Sequence, residues 1–161
     1  MRILGVDPGS RITGIGVIDG GRVLHVECLR LGGGAIPERL GAIFERLTSV
    51  IGEFSPRVAA VETVFMSRNP QAAIKLGQAR GAAIAAVVAA GVEVREYSPR
   101  EIKQAIVGRG GADKQQVQHM VRVLLGMTET PAEDAADALA VALCHRHRAE
   151  TASRLPPGVN L

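Results

Sequence analysis

The sequence predicts an α/β fold in which helices cover both faces of a five-stranded mixed sheet. Two patterns indicate this fold. The N-terminal part holds three strand-like segments joined by tight turns, whereas the rest of the chain alternates helical and strand-like periodicities. With 161 residues, of which 47% are hydrophobic, the chain has the size and composition of one globular domain.

The first three strands are predicted to form an antiparallel meander. Residues 2–6 are an apolar run that ends at a turn beginning with Asp7, and residues 13–18 form a second run. The segment Asp19-Gly20-Gly21 is a hairpin signal that leads into a third strand over residues 22–31. Polar and apolar residues alternate in that third strand, as expected when one face meets water.

A helix and a fourth strand follow. Pro37 suits the first turn of a helix, and Ser55-Pro56 ends it. The apolar residues of this segment recur at helical spacing and predict one buried stripe. They are Leu40, Ile43, Phe44, Leu47, Val50, Ile51 and Phe54. Residues 57–61 are nearly all apolar, as in a central parallel strand, and that strand ends at Glu62.

A long alanine-rich helix is predicted over residues 69–90. Lys75 and Arg80 are its only charges, and Gly77 and Gly81 stand one turn apart. A helix that is apolar on nearly every side must be covered on more than one side. The sheet can cover one side, and a second copy of the chain could cover another, because small residues let helices approach closely. Burial of the whole helix within the monomer is the alternative.

The C-terminal part predicts a fifth strand and three helices. The strand covers residues 92–97, and Ser98 then begins a capping box and a short helix that ends near Val107. Asp113 caps the next helix. Thr130 begins a second capping box, which opens a last helix ending near residue 148.

The charge of the chain is mildly basic. The formal net charge is +3 and the pI is about 9.3, which alone says little about a partner. Basic residues gather around the glycine-rich loop 108–111 and could follow a phosphate backbone. They are Arg95, Arg100, Lys103, Arg109 and Lys114. A solvated basic face is the alternative.

The sequence predicts a cytoplasmic protein without membrane contact. A charge at Asp7 comes too early for the apolar stretch of a signal peptide. The longest uncharged apolar run, residues 81–91, is too short to span a bilayer. Cys28 and Cys144 lie far apart and are interpreted as small buried residues in a reducing compartment.

Two predicted strands end in a carboxylate, Asp7 and Glu62. Sites in open α/β sheets form at the carboxyl ends of strands. If the two strands are parallel neighbours, the two acids lie side by side, and no Lys or Arg stands within three residues of either. Adjacent carboxylates repel, so one would take up a proton or both would bind a cation.

A second acidic pair, Asp134 and Asp137, is predicted to share one helix face at i, i+3 spacing. Asp134 has an ordinary alternative role, stabilising the helix N-terminus or meeting solvent. Asp137 stands in an alanine-rich run suited to burial and needs a partner, for which a metal is a natural choice. Four hard oxygen ligands suit Mg²⁺ or Mn²⁺, and two such ions support phosphodiester hydrolysis.

Five segments of the chain carry a family resemblance. They are Asp7-Pro8-Gly9-Ser10, Glu62-Thr63-Val64-Phe65-Met66, Leu76-Gly77-Gln78-Ala79-Arg80-Gly81, Gln118-His119-Met120-Val121 and Asp134-Ala135-Ala136-Asp137-Ala138-Leu139-Ala140. In this order they resemble the bacterial Holliday junction resolvase family RuvC over roughly residues 1–148. The resemblance implies an RNase H-like nuclease domain over residues 1–150. The tail over residues 151–161, which contains Pro156-Pro157-Gly158, is predicted to be disordered.

The resemblance also implies an activity and its partners. Four-way junction DNA would be nicked symmetrically on two strands, leaving 5′ phosphates, during homologous recombination and DNA repair. Asp7, Glu62, Asp134 and Asp137 would be the catalytic ligands of two Mg²⁺ ions per subunit, for which Mn²⁺ is expected to substitute. The expected protein partners are a second copy of the chain in a homodimer and the RuvA and RuvB branch-migration proteins.

Four further residues are expected to meet DNA. Lys103 and Lys114 match family lysines that lie near the cleaved strand. Phe65 matches an aromatic residue that stacks on an unpaired base, although a core role for a phenylalanine is the alternative. Arg68, in the same loop, is assigned to DNA binding as well.

The histidines are a weaker signal for a zinc site. His145 and His147 stand close to Cys144 in the sequence, but residues at this spacing do not face one way on a helix. The sequence also has no second pair of zinc ligands. We interpret them as polar, partly exposed residues at a helix end. His119 could approach DNA, but a structural role is favoured.

Three rival functions remain open at this point. The pattern Asp7-x-Gly9-Ser10-x-x-Thr13 resembles the phosphate loop of ATP-binding domains of the actin and sugar-kinase type, but 161 residues cannot supply two lobes. A non-catalytic junction-binding module is the second rival. A related nuclease acting on structured RNA is the third.

Overall fold

The fold is a five-stranded sheet between two layers of helices. The computed structural model describes residues 1–63 and 69–154. Its strands are β1 (Arg2–Asp7), β2 (Ile12–Asp19), β3 (Arg22–Arg30), β4 (Val58–Glu62) and β5 (Glu93–Tyr97). Its helices are α1 (Ile36–Phe54), α2 (Pro70–Ala89), α3 (Pro99–Val107), α4 (Lys114–Leu124) and α5 (Glu133–Arg154). The predicted order of elements is confirmed.

The sheet has the strand order β3-β2-β1-β4-β5. Strands β1, β2 and β3 pair antiparallel, whereas β1 pairs parallel with β4, and β4 with β5. This is the predicted mixed sheet. Strands β1 and β4 are parallel neighbours, which was the condition for Asp7 and Glu62 to lie side by side. Val6 lies opposite Val61 in the register, so Asp7 and Glu62 emerge side by side at one edge of the sheet.

Each face of the sheet has its own apolar core. Helices α1 and α2 cover one face, where the largest fully buried side chains include Leu4, Val6, Ile43 and Leu47. Helices α3, α4 and α5 cover the other face, where Leu139 and the side chains around it are fully buried. The helices therefore pack on both faces, as predicted, and the sheet edge with the two acids lies between the layers.

Helix α5 lies directly on the backbone of β1 and β2. A Cβ atom on Gly5 would stand 1.9 Å from the carbonyl oxygen of Ala138, and one on Gly14 would stand 1.9 Å from that of Asp134. Only glycine permits so close an approach of two backbones. The missing side chains let α5 bring its acidic turn next to the end of β1.

The last helix differs from its prediction at both ends. It begins at Glu133 instead of directly after Thr130, and the Glu133 carboxylate pairs with Lys114. It continues to Arg154, so residues 151–154 are helical and the predicted boundary at residue 150 falls inside a helix. Residues 155–161 lie outside the described residues.

Helix α2 is only partly covered within the monomer. Its buried residues are Ala79, Ala83, Ala86 and Val87, whereas Ile74 is 62% and Val88 is 59% exposed. Complete burial within the monomer, the alternative interpretation of this helix, is therefore wrong. The exposed face, which we call the α2 stripe, contains five residues at helical spacing. They are Ile74, Gly77, Gly81, Ala85 and Val88.

By length and composition alone, α2 could also cross a membrane, with a mean hydropathy of 1.3. This observation is weak, because the core helices of water-soluble proteins pass the same test. The buried side of α2 packs on α1 and on the same sheet face that α1 covers. The apolar residues of the α2 stripe remain exposed, and such a patch usually marks a surface that another molecule covers.

The contact between α5 and the sheet predicts unequal effects of two alanine substitutions. Gly14→Ala places a methyl group against the backbone of α5, so we expect it to lower the free energy of unfolding by about 3 kcal/mol. Gly16→Ala is the matched control, because its methyl group would meet the Leu139 side chain at 2.8 Å, and that side chain can change rotamer. Urea unfolding of both variants measures the difference. Equal losses would contradict a backbone contact at Gly14.

Candidate active site

The carboxyl ends of β1 and β4 open into a cleft of about 380 Å³. Its walls come from the two strands, from α3 and α4, and from the first turns of α5. The polar and charged lining residues are Asp7, Glu62, Thr63, Lys103, Lys114, Glu133, Asp134 and Asp137. The structure therefore brings together all four predicted acids and both predicted lysines.

The pKa values of Asp7 and Glu62 are strongly raised in the cleft. Burial raises the pKa of Asp7 from an ordinary 3.8 to about 7, and repulsion from Glu62, Asp137 and Asp134 raises it further in that direction. Burial, followed by repulsion from Asp137, raises the pKa of Glu62 to about 7. The acids of β1, β4 and α5 are therefore close enough for their charges to repel one another across the cleft.

Asp137 has the environment that its alanine-rich surroundings predicted. Burial raises its pKa, and the negative charges of Glu133 and Asp134 act in the same direction. Lys114 and Lys103 oppose this rise. The two lysines therefore offset part of the negative charge, and the acids retain an excess that a cation would neutralise.

The oxygen donors of the cleft are of the chemical type that binds a hard divalent cation, but their present positions do not form a complete site. Within residues 1–63 and 69–154, no three His, Cys, Asp or Glu side chains stand close enough to form a complete metal site. The four carboxylates instead line the shared cleft. Their side chains would have to rotate toward a common point to hold a cation, and carboxylate oxygens are the ligands that Mg²⁺ prefers.

Lys114 stands at the entrance of the cleft, at the first residue of α4. Its ammonium group pairs with Glu133, and this contact is the main reason that the pKa of Lys114 is raised. Asp137 and Asp7 also favour its charged form. The pairing of Lys114 with Glu133 was not predicted, because the sequence pattern assigned Glu133 to a local capping box.

Contacts behind the cleft hold the backbone of the acidic residues. The turn after Asp7 is closed by the buried Thr13, whose hydroxyl donates to the carbonyl of Gly9 at 3.0 Å. Arg80 of α2 donates from Nε to the carbonyl of Glu62 at 3.3 Å. In the sequence, Thr13 belonged to the possible phosphate loop; in the structure, its side chain closes this turn.

The members of the predicted basic stretch have different surroundings. Lys103 and Lys114 line the cleft, but Arg95 pairs with Glu93 on an exposed part of β5. Arg109 donates to Gln116 Oε1 at 2.7 Å. The two lysines are thus the members of the stretch that face the acids.

Two predicted DNA-binding residues, Phe65 and Arg68, lie outside the described residues. Their roles stay predictions. The segment that contains them follows Glu62 and Thr63 directly in the chain and precedes α2.

The histidines of α5 make contacts within the helical layer. His145 Nδ1 lies 2.7 Å from the hydroxyl of Tyr97, and His147 Nδ1 lies 3.1 Å from the carbonyl of Ala105. Both are partly exposed, as predicted. Cys144 is buried as expected, whereas Cys28 is only partly buried, since it lies on the edge strand β3. His119 is exposed on α4, which does not favour a core role.

Comparison with known proteins identifies close relatives. A family model described as crossover junction endodeoxyribonuclease RuvC matches residues 3–145. The crossover junction endodeoxyribonuclease RuvC of Marinobacter nauticus is 56% identical over 95% of this chain and 90% of its own length. That of Alkalilimnicola ehrlichii is also 56% identical, over 96% of each chain.

Solved structures agree with these relatives. The structure of Thermus thermophilus RuvC is 38% identical with a TM-score of 0.86, covering 94% of this chain and 97% of its own. The complex of T. thermophilus RuvC with Holliday junction substrate is 39% identical with a TM-score of 0.89, covering 95% and 97%. The yeast mitochondrial Holliday junction resolvase Ydc2 shares the fold alone, at 11% identity and a TM-score of 0.64, covering 94% and 82%.

The raised pKa values predict that the metal-free protein loses stability as the pH rises. The pKa of Asp7 is higher in the folded chain than its ordinary value of 3.8, so its stabilising contribution is complete below pH 4 and is lost as the pH rises through 7. For Asp7 alone the loss is on the order of 2 kcal/mol. Thermal unfolding in EDTA between pH 5 and pH 8 measures it.

Asp7→Asn is the test of that cause. We expect the stability of the variant to change less than that of the wild type between pH 5 and pH 8, so that its advantage grows as the pH rises. The reason is that a neutral amide avoids the cost of burying a charge and the repulsion from Glu62. Parallel stability curves for the two proteins across this range would show that Asp7 is not the source of the pH dependence.

Proposed function

The chain belongs to the RuvC family of crossover junction endodeoxyribonucleases, and we propose that its acidic cleft is where the family's reaction takes place. The protein is a structure-specific nuclease that resolves Holliday junctions in DNA recombination and repair. One observation supports the assignment of the cleft. Three elements distant in sequence bring Asp7, Glu62, Asp134 and Asp137 to one edge of the sheet.

We assign the four acids as ligands of divalent cations, specifically two Mg²⁺ ions per subunit, with Mn²⁺ as a substitute. Bound in this cleft, such ions would activate the attacking water and stabilise the departing 3′ oxygen, leaving a 5′ phosphate. Asp7 and Glu62, whose pKa values are raised to about 7, must lose their protons to act as ligands. Cation binding should therefore strengthen as the pH rises through neutrality.

The two lysines have a complementary role in this proposal. Lys103 and Lys114 lie on the same cleft as the acids and carry the positive charge that an incoming phosphate needs. They would bind the phosphoryl oxygens on which negative charge develops during strand cleavage. The Lys114 ammonium would exchange its present partner, Glu133, for the DNA phosphate.

We propose that a second copy of the chain covers the α2 stripe. A two-fold dimer places two clefts symmetrically, and this symmetry matches that of a four-way junction, so each cleft would nick one strand. The exposure of Ile74 and Val88 supports this interface, as does the row of small residues between them. RuvA and RuvB remain the proposed protein partners, and a cytoplasmic location without membrane contact remains the proposed setting.

Family membership discriminates among the three rival functions. Membership of a nuclease family decides against an ATP-binding domain and a non-catalytic binding module. The relatives are named as endodeoxyribonucleases, which favours DNA over structured RNA as the substrate.

Asp7→Asn should separate binding from cleavage. We expect the variant to bind a synthetic four-way junction with nearly unchanged affinity, while Mg²⁺-dependent nicking falls by about a thousandfold or more. Gel shift in EDTA and mapping of both nicks with Mg²⁺ measure the two properties. Asp19→Asn is the matched control, because Asp19 is exposed at the far end of β2 and pairs with the N-terminus. A variant that loses binding and cleavage equally would refute the assignment of Asp7.

A charge on the α2 stripe should prevent dimer formation. Ile74→Asp puts a carboxylate into the proposed interface, at the N-terminal end of the α2 stripe, where burial without a partner is costly. We expect sedimentation to show a monomer, and paired nicking of both strands to become independent single nicks. Val123→Asp on α4 is the control, because Val123 is also exposed, at 53%. An unchanged dimer in the Ile74 variant would exclude this interface.

A further inference from the structure

Tyr97, the last residue of β5, contacts both the end of β4 and helix α5. It is one of the few aromatic residues of the chain and is only 6% exposed. Its carbonyl oxygen accepts a hydrogen bond from the backbone N–H of Thr63 at 2.8 Å and lies 3.4 Å from the Thr63 hydroxyl. Thr63 directly follows Glu62, so the backbone of Tyr97 holds the end of β4.

The side chain of Tyr97 contacts α5. Its hydroxyl oxygen lies 2.7 Å from His145 Nδ1, and the guanidinium carbon of Arg148 lies 5.5 Å from the centre of its ring. Such a cation over an aromatic face is attractive. Asp134 and Asp137 belong to the same helix, so these contacts fix α5 against β5, whose last residue is bonded to the end of β4.

The same group of contacts includes α3. Arg148 Nη2 pairs with Glu101 Oε1 at 2.9 Å. The Glu101 carboxylate also accepts from the backbone N–H and the hydroxyl of Ser98, at 2.8 and 2.7 Å, and so caps the helix that carries Lys103. Tyr97, His145, Arg148 and Glu101 therefore connect β4, α3 and α5 through directional contacts.

The hydroxyl of Tyr97 can donate in this position. Burial raises the pKa of Tyr97, which keeps the hydroxyl protonated. Burial also lowers the pKa of His145, which favours the neutral ring with an acceptor nitrogen. A buried and directed hydrogen bond of this kind orients the groups that it joins, beyond the packing that a ring of the same shape would supply.

We propose that Tyr97 is a positioning residue, which fixes the backbone of β4 at Glu62 relative to α5, so that Glu62, Asp134 and Asp137 can turn their side chains toward one divalent cation. The inference rests on the proposed role of the acidic cleft. A positioning role and a purely structural role predict different results. If Tyr97 were only structural, its substitution would change the stability of the fold without changing the affinity of the cleft for Mg²⁺.

Tyr97→Phe tests the proposal with Mg²⁺ as the probe. The variant keeps the ring under Arg148 and removes the hydroxyl contact with His145. Two curves are measured on the full-length chain: the rise in melting temperature with Mg²⁺ in the absence of DNA, and the Mg²⁺ dependence of junction nicking. We expect the half-saturating Mg²⁺ concentration to rise about three- to tenfold in both, and saturating Mg²⁺ to restore most of the nicking rate.

A second variant and a control complete the experiment. Arg148→Gln breaks the contacts with Glu101 and with the Tyr97 ring. The Arg148 side chain is 47% exposed, so we expect the variant to fold. We expect the same direction of change. Arg46→Gln is the matched control, because Arg46 also pairs with a glutamate, Glu27, at 2.7 Å, but near β3 at the opposite edge of the sheet. It should leave both Mg²⁺ curves unchanged.

The outcomes separate the inference from the function on which it rests. Wild-type Mg²⁺ curves for both Tyr97→Phe and Arg148→Gln, or an equal change in Arg46→Gln, would overturn the positioning role. If Tyr97→Phe does not fold, Arg148→Gln alone decides. If Mg²⁺ neither stabilises the wild type nor supports its nicking, the proposed cleft chemistry fails first, and the positioning role fails with it.

Discussion

Repulsion among four carboxylates is the constraint on which the rest of the structure depends. Asp7, Glu62, Asp134 and Asp137 share one cleft, and burial there raises the pKa of Asp7, Glu62 and Asp137. Left to themselves, the acids would separate. The apolar cores on both faces of the sheet keep them together, because opening the cleft would expose that packing to water. The fold thus holds a charge arrangement that becomes favourable when cations bind.

The positions of the acids could be predicted because they follow from local rules. Asp7 and Glu62 end strands, and parallel neighbours place their carboxyl ends at one edge. Asp134 and Asp137 stand one helical turn apart and face one way. Helix and strand types, their order and the two-faced packing follow from apolar periodicity, and the structure confirms them.

The start of α5 and the contacts around Tyr97 could not be predicted from the sequence. They depend on contacts between segments that are distant in the chain, and apolar periodicity carries no information about such contacts. The Glu133 carboxylate pairs with Lys114, 19 residues away, and α5 begins at Glu133 instead of directly after Thr130. The contact of Tyr97 with His145 joins residues 48 positions apart. In the sequence, the tyrosine is merely the apolar end of a strand, and the histidine is one of two near a helix end.

The glycines under α5 have a consequence for how the protein can vary. Where a layer of side chains separates a helix from a sheet, their sizes determine the gap, and each core replacement alters it. Here backbone atoms meet backbone atoms at Gly5 and Gly14. The height of the acidic helix above the first two strands is therefore independent of core volume. Mutational drift in the hydrophobic layers can proceed while the catalytic distances stay constant, as long as these two positions lack side chains.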